Sequence, residues 1–322
     1  MIIDNVLIKE PKISIIITYY NLGKYIKDCV FSILNQTYQN FEIIIVNDKS
    51  NEENSKILDE IQHEKIKIIN SSKNNGQLLA FLKGLKQAKG EFICMVDADD
   101  VLLPNYLKTL LYVHLNSNFA LVSSSCGEIN KDNEITSLSN ISNIVNDKSE
   151  IIKFEDVEKM FEMTSEFKVE KVKTPFGLWN WCPSTSAMFR KSALKILEYY
   201  PNKEYWKTGA DKVIFSLLHL IGGSCNISAV CYLYRHHGNN NSETSLTTGN
   251  KKIISDKYIN KLISWNKKLR IDTYKMFIEN KDELVKKYNK INYYQMLLRI
   301  IFCVNTKICA KVIKTFAHKF LN

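Results

Sequence analysis

Three carboxylates fall within four residues, at Asp97, Asp99 and Asp100, directly after the apolar run EFICMV (91–96). Like charges this close repel, and a buried carboxylate is costly without a neutralising partner. Two arrangements satisfy such a segment. One is a solvated turn that also caps a helix starting near Pro104; the other is a site that takes a cation. A hard divalent ion such as Mn²⁺ or Mg²⁺ suits the second, because it takes oxygen ligands from one or two carboxylates and completes its shell on substrate phosphates. Alternate residues of an extended chain project in similar directions. The D-x-D spacing can therefore hold a metal with one carboxylate while its neighbour meets a sugar hydroxyl.

More polar groups sit at comparable places. Thr18, Tyr19, Tyr20 and Asn21 follow the apolar run KISIIIT (12–18), and Asn47 and Asp48 follow FEIIIV (41–46). Asn74, Asn75 and Gly76 come after IKII (66–69), and Asp97, Ala98, Asp99 and Asp100 after EFICMV. The elements that would carry them alternate. Each apolar run reads as a strand, Ile26, Val30, Ile33 and Leu34 mark a helix face between the first two, and 77–88 is a helix closed by Gly90. FALVSSS (119–125) reads as a further strand. Near-continuous apolar strands alternating with helices predict an α/β fold with a mostly parallel sheet covered on both faces. In such sheets ligands bind outside the carboxyl ends of the strands, where these polar groups collect. Neither G-x-G-x-x-G after the first strand nor G-x-x-x-x-G-K-[ST] occurs, so the crevice is unlike a dinucleotide site or a phosphate loop.

Composition narrows the classes further. A 322-residue chain with 45% hydrophobic and 24% charged residues is ordinary for a soluble globular protein with a substantial core. The N-terminal MIIDNVLIKE has no basic segment followed by an apolar one, and no run reaches the ~18 apolar residues of a spanning helix. Eight scattered cysteines without a C-x-x-C pair suit reduced thiols in the cytoplasm. The net charge of +10 is local: residues 246–322 hold 17 basic and 5 acidic side chains, leaving 27 and 29 in the rest. The main body is therefore not basic, and no aromatic-interleaved platform or reader motif accompanies the tail, so nucleic acid is not an expected partner.

IIITYYN, FEIIIVNDKS, NNGQLLAFLKGLKQAKGEFICMVDADD and FRKSAL, in this order and spacing, resemble family-two glycosyltransferases, the large inverting group with a GT-A fold. The resemblance is strong over residues 12–112 and weaker to 245. It implies a Rossmann-like nucleotide half (1–115), an acceptor-binding and catalytic half (116–245) and a basic helical C-terminal segment (246–322). It further implies a UDP-sugar donor, Mn²⁺ or Mg²⁺ as cofactor, and as acceptor a hydroxyl of a bacterial surface glycan or lipid-linked glycan. Thr18, Tyr20, Asn21, Asn75, Gly76 and Ala98 would line the donor pocket. Asp48 would accept the imide N–H of uracil, Asp97 would face the ribose, and Asp99 would ligate the metal, with Asp100 as neighbour or alternative ligand. Asp48 is equally a turn residue of N-D-K-S. One departure is plain. Many members read G-x-x-x-A-R-N-x-G before the D-x-D strand, whereas GQLLAFLKG puts Phe81 and Leu82 at the Arg and Asn positions, with Lys83 next.

In the second half, Trp179 and Trp181 of GLWNWC could stack on a sugar ring, or alternate along a half-buried strand. Asp211 opens the helix of TGADKVIFSLLHLIGG (208–223), where a carboxylate favours the positive helix end. The family carries a Glu-Asp pair here that supplies the general base; this chain keeps Asp211 and has Ala210 instead of Glu. In YLYRHHGNNNS (232–242), Arg235, His237 and Ser242 match a family stretch, with His237 a further candidate metal ligand on a flexible loop. From 291 onward Arg299 and four lysines interleave with large apolar residues and no acid. That pattern suits an amphipathic helix at an anionic membrane surface, or one packed on the catalytic domain or in a homo-oligomer interface. Ala210 and the missing Arg also leave a second function open, a catalytically inactive nucleotide-sugar-binding or scaffold protein.

Overall fold

The computed structural model describes residues 10–137, 167–238 and 256–303, with short strands at 2–3, 6–7, 244–247 and 252–254. In chain order the main elements are β1 (Ile13–Tyr19), α1 (Gly23–Leu34), β2 (Phe41–Asn47), α2 (Glu52–Asp59), β3 (Ile66–Asn70), α3 (Gln77–Leu85), β4 (Phe92–Asp97), β5 (Val101–Leu102), α4 (Tyr106–Leu115) and β6 (Leu121–Asn130). They continue with β7 (Ile135–Ser137), β8 (Val169–Lys171), β9 (Ala187–Arg190), α5 (Ala210–Gly222), β10 (Ser224–His236), α6 (Asp256–Glu279), α7 (Lys281–Tyr288) and α8 (Lys290–Cys303).

One large sheet runs in the order β8-β10-β6-β9-β4-β1-β2-β3, with β5 paired to β10 and β7 to β6. The first half is parallel, β1 pairing β2 and β4, and β2 pairing β3. β9 enters antiparallel between β4 and β6, so the second half is mixed. The α/β class expected from the alternation is the one observed. The period-two pattern explains how both faces are covered. Ile16, Ile44, Ile93 and Met95 point to a core shared with α3 and α5, while Ile15, Ile17, Ile43, Cys94 and Val96 point to one shared with α1 and α4. A strand as apolar as β1, all seven of its residues buried, needs helices on both sides.

Two expectations change in the second half. Tyr232 to His236 belong to the long strand β10, not to a loop, because Tyr232 and Leu233 pair with β5 and Arg235 and His236 with β6. Of the two readings of the tryptophan stretch, the strand is not seen: 178–180 carry no regular structure, and the strand that follows is β9. The C-terminal helices pack on the main domain. Leu269, Met276, Phe277, Leu284, Tyr293, Met296, Leu297, Ile300 and Ile301 join the core that contains α3 and α5. α8 therefore spends one face on the domain, and Ile291, Leu298 and Phe302 remain exposed on the other. Residues 304–322, which carry the four lysines of the expected membrane-surface helix, lie outside the described residues. Among the described residues no helix is long and apolar enough to cross a membrane.

Candidate active site at the carboxyl ends of the strands

A cavity of about 1090 Å³ opens where β1, β2 and β4 end. Thr18, Tyr20, Asn21, Asp48, Gly76, Asp97, Ala98, Asp99, Trp179, Asp211 and His237 line it. Residues separated by more than 200 positions thus meet at one edge of the sheet, as the strand-end rule requires.

The donor-side loops are held by their own side chains. Asp48 sits just past β2 and its carboxylate accepts the amide N–H of Asn75 (3.0 Å) and of Gly76 (2.6 Å). Asn75 contributes through its backbone; its side-chain amide donates to Lys73 and lies off the cavity. Gly76 has φ +89°, a left-handed conformation that L side chains rarely adopt, and a Cβ there would lie 2.4 Å from Lys207 Cα. Gly76→Ala is expected to lower stability by about 1–3 kcal/mol, read as a reduced midpoint in urea unfolding with an unchanged slope. The N-terminus of α3 is closed from outside the helix, Gln77 N–H donating to Lys207 O (2.9 Å) and Leu78 N–H to Trp206 O (3.2 Å).

The acidic turn resolves into three different environments. Asp97 accepts from Gln77 Nε2 (3.0 Å) and Ser184 Oγ (2.9 Å), and burial, then the charges of Asp99 and Asp211, push its carboxyl up to about 7. Asp99 keeps one face to the cavity and lies 2.8 Å from His237 Nε2. Asp100 is a correction to the expected metal ligands. It is fully buried beneath the cavity, with one oxygen taking Thr185 Oγ1 (2.5 Å) and the other the Arg235 N–H (3.1 Å). Burial raises its pKa well above the ordinary range, with Asp99 and Asp97 adding to the effect. Asp100 lies off the cavity wall, and both its oxygens are occupied in holding the turn.

Arg235 holds the acidic turn. Its side chain is fully buried, its Nε donates to Asp99 O (2.7 Å), and its guanidinium stands 4.8 Å from the centre of the Tyr25 ring. His237 stacks on the same ring at 5.1 Å. β10 thus carries an arginine that pins the acidic turn, and the residue just past the end of the strand is a histidine that faces that turn. His236 points elsewhere, toward Glu128 at 3.5 Å.

Across the cavity, Asp211 occupies the first turn of α5, after Gly209 (φ +74°) and fully buried Ala210. Its Oδ1 accepts the N–H of Lys212 (2.8 Å), and burial pushes its carboxyl up to about 6 against the opposing effect of Lys212. Trp179 is 38% exposed and lies flat on Phe215 at 5.3 Å. Trp181 is the second correction. It is buried, its indole N–H donates to Ser224 Oγ (3.1 Å), and it lies off the cavity, so no sugar face can reach it.

Sequence reasoning missed five contributors. Gln77 bridges the two halves of the site, its Nε2 on Asp97 and its Oε1 taking the Ala210 N–H (3.1 Å). The hydroxyls of Ser184 and Thr185, visible in the P-S-T-S stretch, hold Asp97 and Asp100. Trp265 and Leu262 of α6 complete the wall, with the Trp265 ring where a Cβ on Gly209 would come within 2.5 Å. Lys83 does not reach the cavity; its ammonium donates to Asn70 O (2.9 Å) and Ser71 Oγ (3.1 Å). Phe81 is buried in the core, so the position of the family arginine is a packing position here.

A cation site can be tested against this donor set. Asp99 supplies a carboxylate oxygen and His237 an imidazole nitrogen 2.8 Å apart at the cavity wall. No cluster of three or more His, Cys, Asp or Glu suited to a metal occurs among the described residues. Two protein ligands fit a hard cation that completes its shell on substrate phosphates, rather than a closed protein cage.

The chain is 40% identical over 100 residues to "Glycosyltransferase GlyG" of Streptococcus pneumoniae, covering 30% of this chain and 33% of that one. The chain thus spans about a third of that relative. It is 28% identical over 234 residues to "Uncharacterized glycosyltransferase alr2836" of Nostoc, covering 71% of this chain and 66% of that one. Among solved structures, Staphylococcus aureus TarS 1–349 in complex with UDP-GlcNAc superposes with a TM-score of 0.54 over 92% of this chain and 82% of that one, at 16% identity, which speaks for the fold. The profile described as "Glycosyl transferase family 2" matches residues 14–197. More than half of the chain carries that match, and the protein belongs to glycosyl transferase family 2.

Proposed function

We propose that the protein transfers a sugar from a UDP-sugar to a hydroxyl of a bacterial surface glycan, with inversion and with a divalent cation on the donor diphosphate. One observation carries this: Asp48, Asp97, Asp99, His237 and Asp211 line a single cavity at the carboxyl ends of the sheet. Membership in the family and the printed names of relatives support it, among them "Teichoic acid poly(glycerol phosphate) polymerase" of Staphylococcus epidermidis, 34% identical over 115 residues that make up 16% of that protein. A solved neighbour of the same fold holds UDP-GlcNAc.

In this arrangement Thr18, Tyr20, Asn21 and Gly76 border the nucleoside. Asp48, already fixed by two backbone amides, has lone pairs left for the uracil imide N–H. Asp97, oriented by Gln77 and Ser184, faces the ribose. Asp99 and His237 would hold Mn²⁺ or Mg²⁺, which when bound offsets the charge that develops on the departing diphosphate. Asp211 takes the proton of the acceptor hydroxyl as its oxygen attacks the anomeric carbon, while the bond to UDP breaks on the opposite side. Trp179 offers its face to the acceptor.

A second function, nucleotide-sugar binding without transfer, draws on buried Ala210 in place of the family Glu. A panel of UDP-sugars, incubated with and without Mn²⁺ and assayed for released UDP, separates the two. Slow, metal-dependent hydrolysis of one donor is expected of a transferase. Metal-dependent UDP binding with no turnover on any donor or glycan acceptor would favour the inactive binder.

A further inference from the structure

Lys212 is not accounted for by donor binding or by the base. It follows Asp211 in the first turn of α5, where a cation opposes the helix dipole. It is only 5% exposed, yet it lines the cavity. Its ammonium carries three N–H groups, and one donates to Gly177 O (2.8 Å). It stands 5.5 Å from the centre of the Trp179 ring. The charges that act on it are the Asp211 carboxylate and, with the wrong sign, the Arg270 guanidinium from α6. Arg270 Nε is itself buried without a hydrogen-bond partner among the described residues. Burial, helped by Arg270, pulls Lys212 down to about 8. A buried cation at an unfavourable helix end, with one carboxylate beside it and a second cation acting on it, is expensive to keep and gains from a further anion.

The other two cavity lysines stand apart from it. Lys207 packs against Gly76, and Lys24 lies 5.3 Å from the centre of the Tyr25 ring that His237 stacks on. Both belong to the nucleotide side. Lys212 lies instead next to Asp211 and Trp179, where the acceptor must enter for its hydroxyl to reach the base.

We infer that the acceptor is anionic, with a phosphate or carboxylate close to the hydroxyl that receives the sugar and Lys212 as its counter-ion. This rests on the functional reading above, in which Asp211 marks the acceptor side. It narrows the acceptor from a glycan in general to one bearing phosphodiester or uronic acid groups. The Trp179 face and the Lys212 ammonium then act together, one on the sugar ring and the other on the charge.

The test is a ligand-observed NMR titration of the full chain saturated with UDP and Mn²⁺, using two probe pairs: glycerol 3-phosphate against glycerol, and glucuronate against glucose. At least one charged probe is expected to bind at least tenfold tighter than its neutral partner, and which one does separates phosphate from carboxylate. Lys212→Met should abolish that preference and Lys212→Arg should keep it. Lys212→Met leaves Gly177 O without its donor, so thermal unfolding of both variants accompanies the titration, and Lys212→Arg, which keeps the charge, shows the preference independently of any loss of stability. Equal binding of charged and neutral probes, an unchanged preference in Lys212→Met, or displacement of UDP by the charged probe would each overturn the inference; the last would place Lys212 on the donor diphosphate. If UDP itself fails to bind, the functional reading falls, and the same probes titrated without UDP still decide whether Lys212 selects an anion.

Discussion

Asp211→Asn is expected to reduce kcat for sugar transfer by about 100- to 10,000-fold, the range for removing a general base. UDP affinity should stay within about twofold, because the substitution keeps the size of the side chain and its hydrogen bond to the Lys212 N–H. The pH dependence carries a sign that follows from the same carboxyl. Burial raises Asp211 to about 6, so the base form prevails above that pH and is lost below it. For the wild type, kcat/KM should level off above an acid limb near pH 6, fall about tenfold per unit below it, and turn down again from about pH 8 where Lys212 loses its charge. The residual activity of Asp211→Asn should lack this limb. Steady-state kinetics from pH 5 to 8 check both. An unaltered limb in the variant would assign the titration, and the base, to another group.

Asp99→Ala is the second large effect. Asp99 is the one carboxylate of the acidic turn that meets both the cavity and His237, while Asp97 and Asp100 are each engaged by two protein donors. Donor hydrolysis should fall about 100-fold or more, corresponding to the several kcal/mol that a metal contributes on a leaving diphosphate. The remaining rate should no longer respond to Mn²⁺. Asp100→Asn tests the distinction between the two neighbours. It keeps its hydrogen bonds to Thr185 and the Arg235 N–H in part, so its cost should appear in unfolding experiments and not in metal response. If Asp100→Asn abolished the Mn²⁺ response and Asp99→Ala left it intact, the roles would be reversed.

The strands of the first half were legible because a fully buried parallel strand leaves a plain mark, an unbroken apolar run that ends in polar residues. The ends of these runs point to Asp48, Asp97 and Asp99, and all three line the cavity. Asp100 and Trp181 were not separable from Asp99 and Trp179 in this way. Adjacent residues share composition and spacing, and which one turns inward depends on partners as distant as Thr185, Arg235 and Ser224. The same limit hid Gln77, whose two contacts lie 20 and 133 residues away. The last residues of β10, from Tyr232, were read with the loop because Gly238 and the asparagines after it dominate the stretch, whereas pairing with β5 and β6 decides the backbone up to His236. α6 was legible only as part of a basic helical segment. Its buried Leu269, Met276 and Phe277 recur at helical spacing, and that signal could have placed it on the domain and led to Trp265.

The donor site is tested most directly by calorimetric titration of the wild-type chain with UDP, once with Mn²⁺ and once with the metal chelated. Saturable binding of one UDP per chain, weakened at least tenfold by chelation, is the expected result. Absence of UDP binding under both conditions would contradict the assignment of the strand-end cavity as a nucleotide-sugar site.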